Sequence, residues 1–356
     1  MSMTVQHERP GVYSSYETSS LTAAAAGGGK VAVVAGAGDL ENGKDFYQWT
    51  SYSRAAADVG ECALSRLAQL AIRNGAGAVY GIPVGSAEDE DGKNYKAAFD
   101  VAEGLEDVSV VVCDSVDVKV QQLLREMVEN CSAARKERIA MVGGKAGETV
   151  EDLVKRAAEL NCERVVLVAP GGVDSEGGAV GGAMCAAAVA GAIAGTADPA
   201  LPLGGAQLYG LAGLEESYDD GDIDLLVRGG VTPLETLAGA CYVVRGVTTK
   251  TMTGSVEDAT WRELTTILVV DEVIPGLRNA LRAKFSRAKN TEQTRGAIRS
   301  QAVMELEKRV SREIIDSYED VTVTALEDDP TVCLVEFSFT VAHGLNQVWL
   351  SAHITV

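Results

Sequence analysis

Histidine is scarce in this 356-residue sequence, which has only His7, His343 and His353. The stretch from Lys30 to Gly254 contains none, and it also lacks the GxSxG turn that presents a nucleophilic serine. Hydrolases of the Ser-His-Asp or Cys-His type need an imidazole base, and many metal sites need an imidazole ligand. We therefore predict no catalytic residue, no metal site and no cofactor in this stretch. Only an enzyme that uses carboxylates and lysine alone stays open.

Basic residues, paired cysteines and aromatic rings are also few. The 31 Lys and Arg residues face 51 Asp and Glu, so the net charge of −20 argues against a nucleic-acid partner. The seven cysteines form no CxxC pair, which predicts buried free thiols in a reducing compartment. With 5% aromatic residues, packing has to rest on Ala, Val, Leu and Gly.

Long apolar runs are limited to one uncharged segment of small residues, Gly177–Ala197. Its Ala and Gly content and its place in mid-chain favour a buried helix over a membrane span. The first residues, MSMTVQHERPG, have no apolar segment of the kind found in signal peptides. We expect no membrane insertion.

From Lys30 onward, apolar strand segments alternate with helical segments. Predicted strands cover 31–38, 78–84, 108–114, 138–144, 164–170 and 241–248, and predicted helices cover 55–73, 95–104, 118–134, 149–160 and 179–196. Buried β-branched strands separated by helices are typical of right-handed βαβ crossovers. The predicted fold class is α/β, with a parallel sheet core covered by helices on both faces.

Beyond Gly254 the pattern changes to a C-terminal α+β domain. We predict a strand at 264–270, helices at 271–285 and 294–315, and strands at 321–326, 333–342 and 348–356. The predicted division is an N-terminal arm (1–28), a core domain (29–254), a C-terminal domain (255–346) and a C-terminal strand or arm (347–356). Both chain ends are thus predicted to be terminal β arms.

Three short motifs suggest ligand sites, and each is incomplete. Gly36 and Gly38 follow the first strand as in a dinucleotide-binding turn, but Glu41 replaces the third glycine. The segment 143–149, GGKAGET, lacks the Ser or Thr that a P-loop places after its lysine. The alternating aspartates 220, 222 and 224 lack the glycine and glutamate of a calcium loop. We interpret these as a strand-end turn, a loop and a helix N-terminus.

The order of several segments resembles contractile-tail sheath proteins. RPGVYSSYE (9–17) resembles that family's short N-terminal segment. AMCAAAVAGAIAGTADPALPLGGAQLYGL, IDLLVRGGVTPLE and CYVVRGVTT follow one another like the small-residue helix, Pro-containing loop and strand of its core. The C-terminal part, with an Asn-bearing turn at Asn290, resembles sheaths from phages of Gram-positive hosts. Each motif is weakly specific, and the ordered set is much more so.

The resemblance implies a structural subunit that forms stacked helical rings around a tail tube and contracts to drive the tube through a cell envelope. It implies a subtilisin-like core topology without a catalytic triad. The implied partners are identical subunits, the tail tube protein, and baseplate and tail terminator proteins. The implied location is the tail of a virion or of a bacteriocin-like particle, assembled in the host cytoplasm.

Two assembly surfaces are expected. Inter-subunit strand exchange is expected to use Val12 and Tyr13 of the N-terminal arm and one face of the final strand (Val348, Leu350, Ala352, Ile354 and Val356); the alternative is a hairpin within one chain. The segment from Arg278 to Arg312 contains ten basic residues and only three acidic ones. A tube-facing basic patch is expected there (Arg278, Arg282, Lys284, Arg287, Arg295 and Arg299); the alternative is a solvated helical face.

Two other functions stay open at this point. One is a cytosolic α/β enzyme that binds a nucleotide or a phosphorylated small molecule. The other is a soluble scaffold with no contractile role.

Overall fold

A computed structural model describes residues 28–38, 43–85, 92–174, 177–329, 331–346 and 348–353. The helices are α1 (Tyr52–Val59), α2 (Ala63–Arg73), α3 (Lys93–Gly104), α4 (Val118–Ala133), α5 (Val150–Leu160), α6 (Gly181–Gly195), α7 (Asp220–Arg228), α8 (Leu264–Phe285) and α9 (Glu292–Ser311). The strands are β1 (Lys30–Gly36), β2 (Tyr47–Trp49), β3 (Ala78–Val84), β4 (Val108–Cys113), β5 (Ile139–Gly143), β6 (Val165–Ala169), β7 (Gly172–Val173), β8 (Ala179–Val180), β9 (Gln207–Leu208), β10 (Gly213–Leu214), β11 (Val231–Leu237), β12 (Ala240–Val243), β13 (Met252–Thr253), β14 (Val256–Glu257), β15 (Ile315–Ala325) and β16 (Cys333–Val341).

The central sheet has nine strands in the order β2-β3-β1-β4-β5-β6-β11-β12-β9. Its six inner strands, from β3 to β11, pair in parallel. β2 joins one side antiparallel, and β12 and β9 extend the other side antiparallel. The predicted α/β fold with a largely parallel sheet is confirmed.

Helices cover the two faces of the sheet, and alternate residues of each strand point to opposite faces. In β1, Val31 and Val33 belong to an apolar cluster that includes α2 and α6. Ala32 and Val34 belong to a second cluster that includes α3, α4 and α5. Because both faces are buried, the inner strands are continuously apolar rather than alternating.

α6 is the predicted small-residue helix, and its glycines allow close backbone contact. A Cβ on Gly191 would lie 2.3 Å from the carbonyl oxygen of Ala71 in α2. A Cβ on Gly182 would lie 2.5 Å from the carbonyl oxygen of Gly144, just beyond β5. The Ala and Gly content therefore follows from packing against α2 and the sheet. No helix in the described part of the chain combines the length and the apolar character that a bilayer crossing needs.

The C-terminal part packs α8 and α9 against the antiparallel pair β15–β16. Val269, Val273 and Leu277 of α8 meet Ala302 and Leu306 of α9 in a separate apolar cluster. β16 alternates between half-buried and exposed residues along its whole length, as predicted. The half-buried side chains of β16, among them Phe337, Phe339 and Val341, pack against this cluster.

The predicted strand at 264–270 is wrong, because these residues form the first two turns of α8. Leu264 and Ile267 are 1% and 2% exposed in the cluster that contains α2 and α6, and the half-buried Leu268 packs there too. This i, i+3, i+4 spacing is helical, and the β-branched Thr, Ile and Val residues between hide it. Tertiary packing overrides their strand propensity.

Other boundaries differ where a turn was missed. The predicted helix 55–73 divides into α1 and α2 at Gly60, whose φ is +71°. The predicted strand 241–248 ends at Val243. The predicted helix 294–315 ends at Ser311, and Glu313, with φ +58°, turns the chain into β15.

Candidate assembly interfaces

In parallel α/β sheets, ligands bind at the carboxyl ends of the strands. At the ends of β1 and β4, Asp114 accepts hydrogen bonds from the Gly36 N–H (2.9 Å) and the Tyr95 hydroxyl (2.6 Å). Burial, reinforced by the charge of Asp114, raises the pKa of Tyr95, so its hydroxyl stays protonated and donates. Asp114 therefore ties strand ends and α3 together.

At the ends of β5 and β6 the space is filled by a buried polar network. Arg156, 6% exposed, pairs with Glu148 and donates to the Val116 carbonyl (2.8 Å) and to Gln121 Oε1 (3.2 Å). The cavity beside Glu148 measures about 10 Å³, enough for one water at most. Among the described residues at the ends of β5 and β6, the cavity beside Glu148 is too small for a nucleotide or a sugar phosphate.

The incomplete motifs have local roles where they are described. In 143–149, Glu148 accepts the Lys145 N–H (2.8 Å), and Thr149 caps α5. Asp222 belongs to the capping box of α7, and Asp224 pairs with Arg228. The glycine turn after β1 continues into 39–42, outside the described residues.

The β15–β16 sheet has two outer edges, and they differ. β15 is irregular: its pairing with β16 shifts register between Ile315 and Ser317 and between Glu319 and Thr322, and Asp320 has φ +54°. Arg299 Nε also donates to the Val321 carbonyl at 2.7 Å, which occupies a backbone acceptor there. This side is a poor template for another strand.

β16 is regular over nine residues and contains neither proline nor lysine. Within the described ranges it pairs with β15 alone. Unpaired backbone groups along a straight strand can accept a strand from another chain. β16 is thus the candidate acceptor edge.

Residues 348–353 form no strand within the single chain, and their pairing with another subunit stays a prediction. Val348 and Leu350 are 70% and 95% exposed, and Ala352 is exposed. Their alternation shows which face would be buried, but a lone strand needs a partner edge to be stable in water. Val12, Tyr13, Ile354 and Val356 lie outside the described residues.

The structure divides the predicted basic patch. Arg282 and Arg287 are exposed at the end of α8 and in the turn before α9. Lys284 donates to Gln301 Oε1 (2.9 Å), and Arg295 donates to Asn290 Oδ1 (3.0 Å). With Arg299, these five residues lie around the α8–α9 turn.

Arg278 does not belong with the others, because it reaches the core. It pairs with Glu137 at 2.7 Å. Farther along α9, Lys308, Arg309 and Arg312 lie in pairs with Glu305 and Glu272. The excess of positive charge is therefore concentrated at the α8–α9 turn rather than spread along both helices.

Sequence reasoning missed the ion pairs that join α8 to the central sheet. Arg164, at the start of β6, forms two hydrogen bonds with Asp271 (2.8 and 2.9 Å). Burial raises the pKa of Asp271, and the hydrogen bonds from Arg164 oppose that rise. Arg278 lies seven residues after Asp271, on the same side of α8, and its pair with Glu137 has the opposite polarity. Only this seven-residue spacing was visible in the sequence.

Known proteins match the chain in sequence and in fold. The tail sheath protein of Bacillus phage SP01 is 27% identical over 253 residues, which are 69% of this chain and 43% of that protein. This chain therefore spans less than half the length of that relative. The sheath tail protein from Desulfitobacterium hafniense matches with a TM-score of 0.68 and 13% identity, covering 93% of this chain and 100% of that one.

A chain of the anti-feeding prophage helical sheath in its contracted state matches with a TM-score of 0.73 and 14% identity, over 97% of this chain and 98% of that one. At such identities the two structures show the fold alone. Family models add the sequence evidence: the phage tail sheath central domain matches residues 89–249, and the phage tail sheath C-terminal domain matches residues 256–355. With both domains present in order, this chain belongs to the phage tail sheath protein family.

Proposed function

We propose that this protein is a structural subunit of a contractile tail sheath. It polymerises helically around the tail tube and contracts to drive the tube through the target cell envelope. The observation that carries this proposal is the ordered match of both sheath domains, together with a fold shared over nearly the whole chain with a contracted sheath subunit. A nucleotide-binding enzyme has no comparable support.

The work of contraction comes from exchange between two sets of subunit interfaces, and no chemical step is needed. The protein is not an enzyme, and its core resembles subtilisin in topology only. We keep the division into an arm (1–28), a core (29–254), a C-terminal domain (255–346) and a terminal arm (347–356). The separate apolar cluster of α8, α9 and β15 supports a distinct C-terminal unit.

Strand exchange links the subunits. Val12 and Tyr13 of one arm, and the alternating residues from Val348 to Val356 of the other, add strands to a neighbour's C-terminal sheet. The regular outer edge of β16 and the exposed apolar residues after it support this proposal. Backbone hydrogen bonds of this kind persist while side-chain interfaces change, so subunits can move without separating.

The basic residues at the α8–α9 turn face the tube. The exposed Arg282 and Arg287, with Lys284, Arg295 and Arg299, would meet an acidic tube surface. Screened surface pairs are individually weak, so they set register without preventing release. Arg278 is excluded from this contact because Glu137 holds it.

The partners are identical subunits, the tail tube protein, and baseplate and terminator proteins. The particle is a phage tail or a bacteriocin-like device, assembled in the host cytoplasm. No nucleic acid is bound, which agrees with the net charge of −20.

Negative-stain microscopy of the purified protein tests the proposal. We expect long hollow helical tubes, formed alone or on added tail tubes. Discrete small oligomers under all conditions, with no binding to tubes, would contradict the sheath function.

Charge reversal tests the tube-facing patch. Arg282→Glu with Arg287→Glu should prevent assembly on tubes while the monomer keeps its thermal midpoint, because both side chains are exposed. Arg228→Glu, an exposed arginine on α7, is the matched control and should assemble normally. Equal tube binding by both variants would remove the patch from the proposal.

A further inference from the structure

Arg309 of α9 is buried where α9 packs on α8, with 6% of the residue exposed. Its Nη1 donates to the carbonyl of Glu305 in its own helix (2.8 Å) and also pairs with the Glu305 carboxylate (3.3 Å). Its Nη2 donates across to the carbonyl of Glu272 in α8 (3.3 Å). The guanidinium of one helix therefore reaches a backbone oxygen in the middle of another.

That oxygen lies in the turn of α8 that a proline interrupts. Pro275 is inside α8 and has no N–H, so the carbonyl of Asp271, four residues earlier, lacks its helical donor. The proline ring also crowds that carbonyl, which bends a helix. Glu272 is the next residue, and its carbonyl is the one that Arg309 contacts. A side chain thus supplies a donor to the turn from which the proline removes one.

Gly276 makes room for this contact. A Cβ at position 276 would overlap Arg309 Nη2, so a larger residue there would displace the guanidinium. Glycine weakens a helix interior, and the space that the arginine needs explains its presence next to the proline. Gly296 of α9 differs, since no atom lies within 4 Å of its Cβ position.

The buried position leaves the arginine itself incompletely paired. Its Nε has no hydrogen-bond partner in the part of the chain that the structure describes. A buried donor without a partner is unfavourable, and an arginine turned outward would be hydrated instead. The position of Arg309 is therefore explained by its contact with α8 rather than by the pairing of its own donors.

We propose that Arg309 is a positioning residue that replaces the missing donor at Pro275 and fixes the bend of α8. Arg278 ties the second half of α8 to the core through Glu137, and Arg309 ties it to α9. Arg309 thereby sets where the α8–α9 turn lies relative to the core. The inference concerns a single chain and does not rest on contraction or on tube binding.

Distances between two spin labels measure this bend. The labels are attached to Ala288→Cys in the α8–α9 turn and Ala134→Cys after α4, both exposed positions. The half-buried cysteines 62 and 333 are changed to Ser, and the five buried cysteines stay in place. With Arg309 present, the labels should give one narrow distance distribution.

Removing the guanidinium should broaden and shift that distribution. Arg309→Gln does so directly, and Gly276→Ala does so by displacing the side chain. Arg312→Gln is the matched control, because Arg312 also lies near Glu272 but is largely exposed, and it should leave the distribution unchanged. An unchanged distribution in Arg309→Gln, or an equal change in the control, would overturn the proposal.

The proline distinguishes a replacement donor from ordinary packing. In Pro275→Ala, residue 275 regains its N–H, so adding Arg309→Gln should no longer broaden the distribution. If Arg309 only filled space between the helices, its loss would broaden the distribution equally with and without the proline. That result would refute its role at Pro275.

Amide hydrogen exchange gives a second readout if Arg309→Gln does not fold. In Gly276→Ala, exchange at residues 276–279 should become about tenfold faster, the effect of losing one hydrogen bond. Helix propensity alone would slow it, because alanine favours a helix over glycine. Gly296→Ala should leave exchange at 276–279 unchanged. Equal or slower exchange in Gly276→Ala would contradict the proposal.

Discussion

The central sheet and the C-terminal sheet differ in the length of their edge strands. The central sheet ends in β2 and β9, which have three and two residues, so little unpaired backbone is presented. The C-terminal sheet ends in β16, which has nine residues and a regular edge. Very short edge strands prevent pairing with other chains, and long regular ones invite it. The described edges of the central sheet thus offer little backbone for pairing, whereas β16 offers nine residues of it.

The largest effect should come from removing the segments that would extend it. Deleting Val348–Val356, or separately Ser2–Tyr16, should abolish polymerisation and leave a folded monomer. Residues 348–353 are exposed and form no strand, so the fold does not depend on them. Electron microscopy measures assembly, and thermal unfolding followed by circular dichroism measures the fold. Sheaths of normal length from either deletion, or an unfolded C-terminal deletion, would contradict this.

The next largest effect should come from breaking the Arg164–Asp271 ion pair, which connects the central sheet to α8. Arg164→Leu should destabilise the protein by about 3–5 kcal/mol, because Asp271 would be left buried without its partner. The double variant Arg164→Leu, Asp271→Leu should recover most of that loss. Denaturant unfolding measures both.

The exposed ion pair Arg228–Asp224 is the control for the buried Arg164–Asp271 pair. Arg228→Leu should leave the midpoint of unfolding within experimental error. If Arg228→Leu lowered the free energy of unfolding as much as Arg164→Leu, burial of the ion pair would not explain the loss.

Two glycines sharpen the comparison between a packed and an open helix. Gly191→Ala in α6 should cost about 1–3 kcal/mol, because its Cβ would meet the Ala71 carbonyl at 2.3 Å. Gly296→Ala in α9 should instead stabilise by about 0.5–1 kcal/mol, since no atom lies within 4 Å of its Cβ position. The free energies of unfolding should move in opposite directions, and a shared sign would refute the contact.

The smallest effect should be a pH dependence at Glu137. Burial alone would raise the pKa of this carboxyl, but the hydrogen bond from Arg278 lowers it below its ordinary value of 4.5. A lowered folded pKa adds stability above pH 4.5, and this stability is lost as the pH falls through the folded value. Glu137→Gln should therefore cost roughly 1 kcal/mol at pH 7 and progressively less below pH 4.5. A pH-independent difference would be inconsistent with this ion pair.

Much of the core was readable from local pattern. Strands such as Ala78–Val84 and helices such as α4 carry their period in the sequence, and burial on both faces makes that signal strong. The start of α8 was not readable, because its helical spacing is masked by Thr, Ile and Val. The tail 348–353 has the pattern of a strand, but pairing depends on an edge that no local pattern contains.

The ion pairs between α8 and the core could not be predicted from local sequence patterns either. Arg164 and Asp271 are 107 residues apart, and nothing near either residue identifies the other. The basic cluster was visible as composition, yet its division between Arg278 and the turn residues depends on where α8 meets Glu137.

α8 belongs to both regions at once, since Leu264 and Ile267 pack in the core while Val273 and Leu277 pack in the C-terminal cluster. Its 22 residues correspond to a rod of about 33 Å. Pro275 lies near the middle of this helix, between Val273 and Leu277, and has no backbone N–H to donate to the preceding turn. A bend between the core and the C-terminal region is therefore expected at Pro275 rather than elsewhere along the rod.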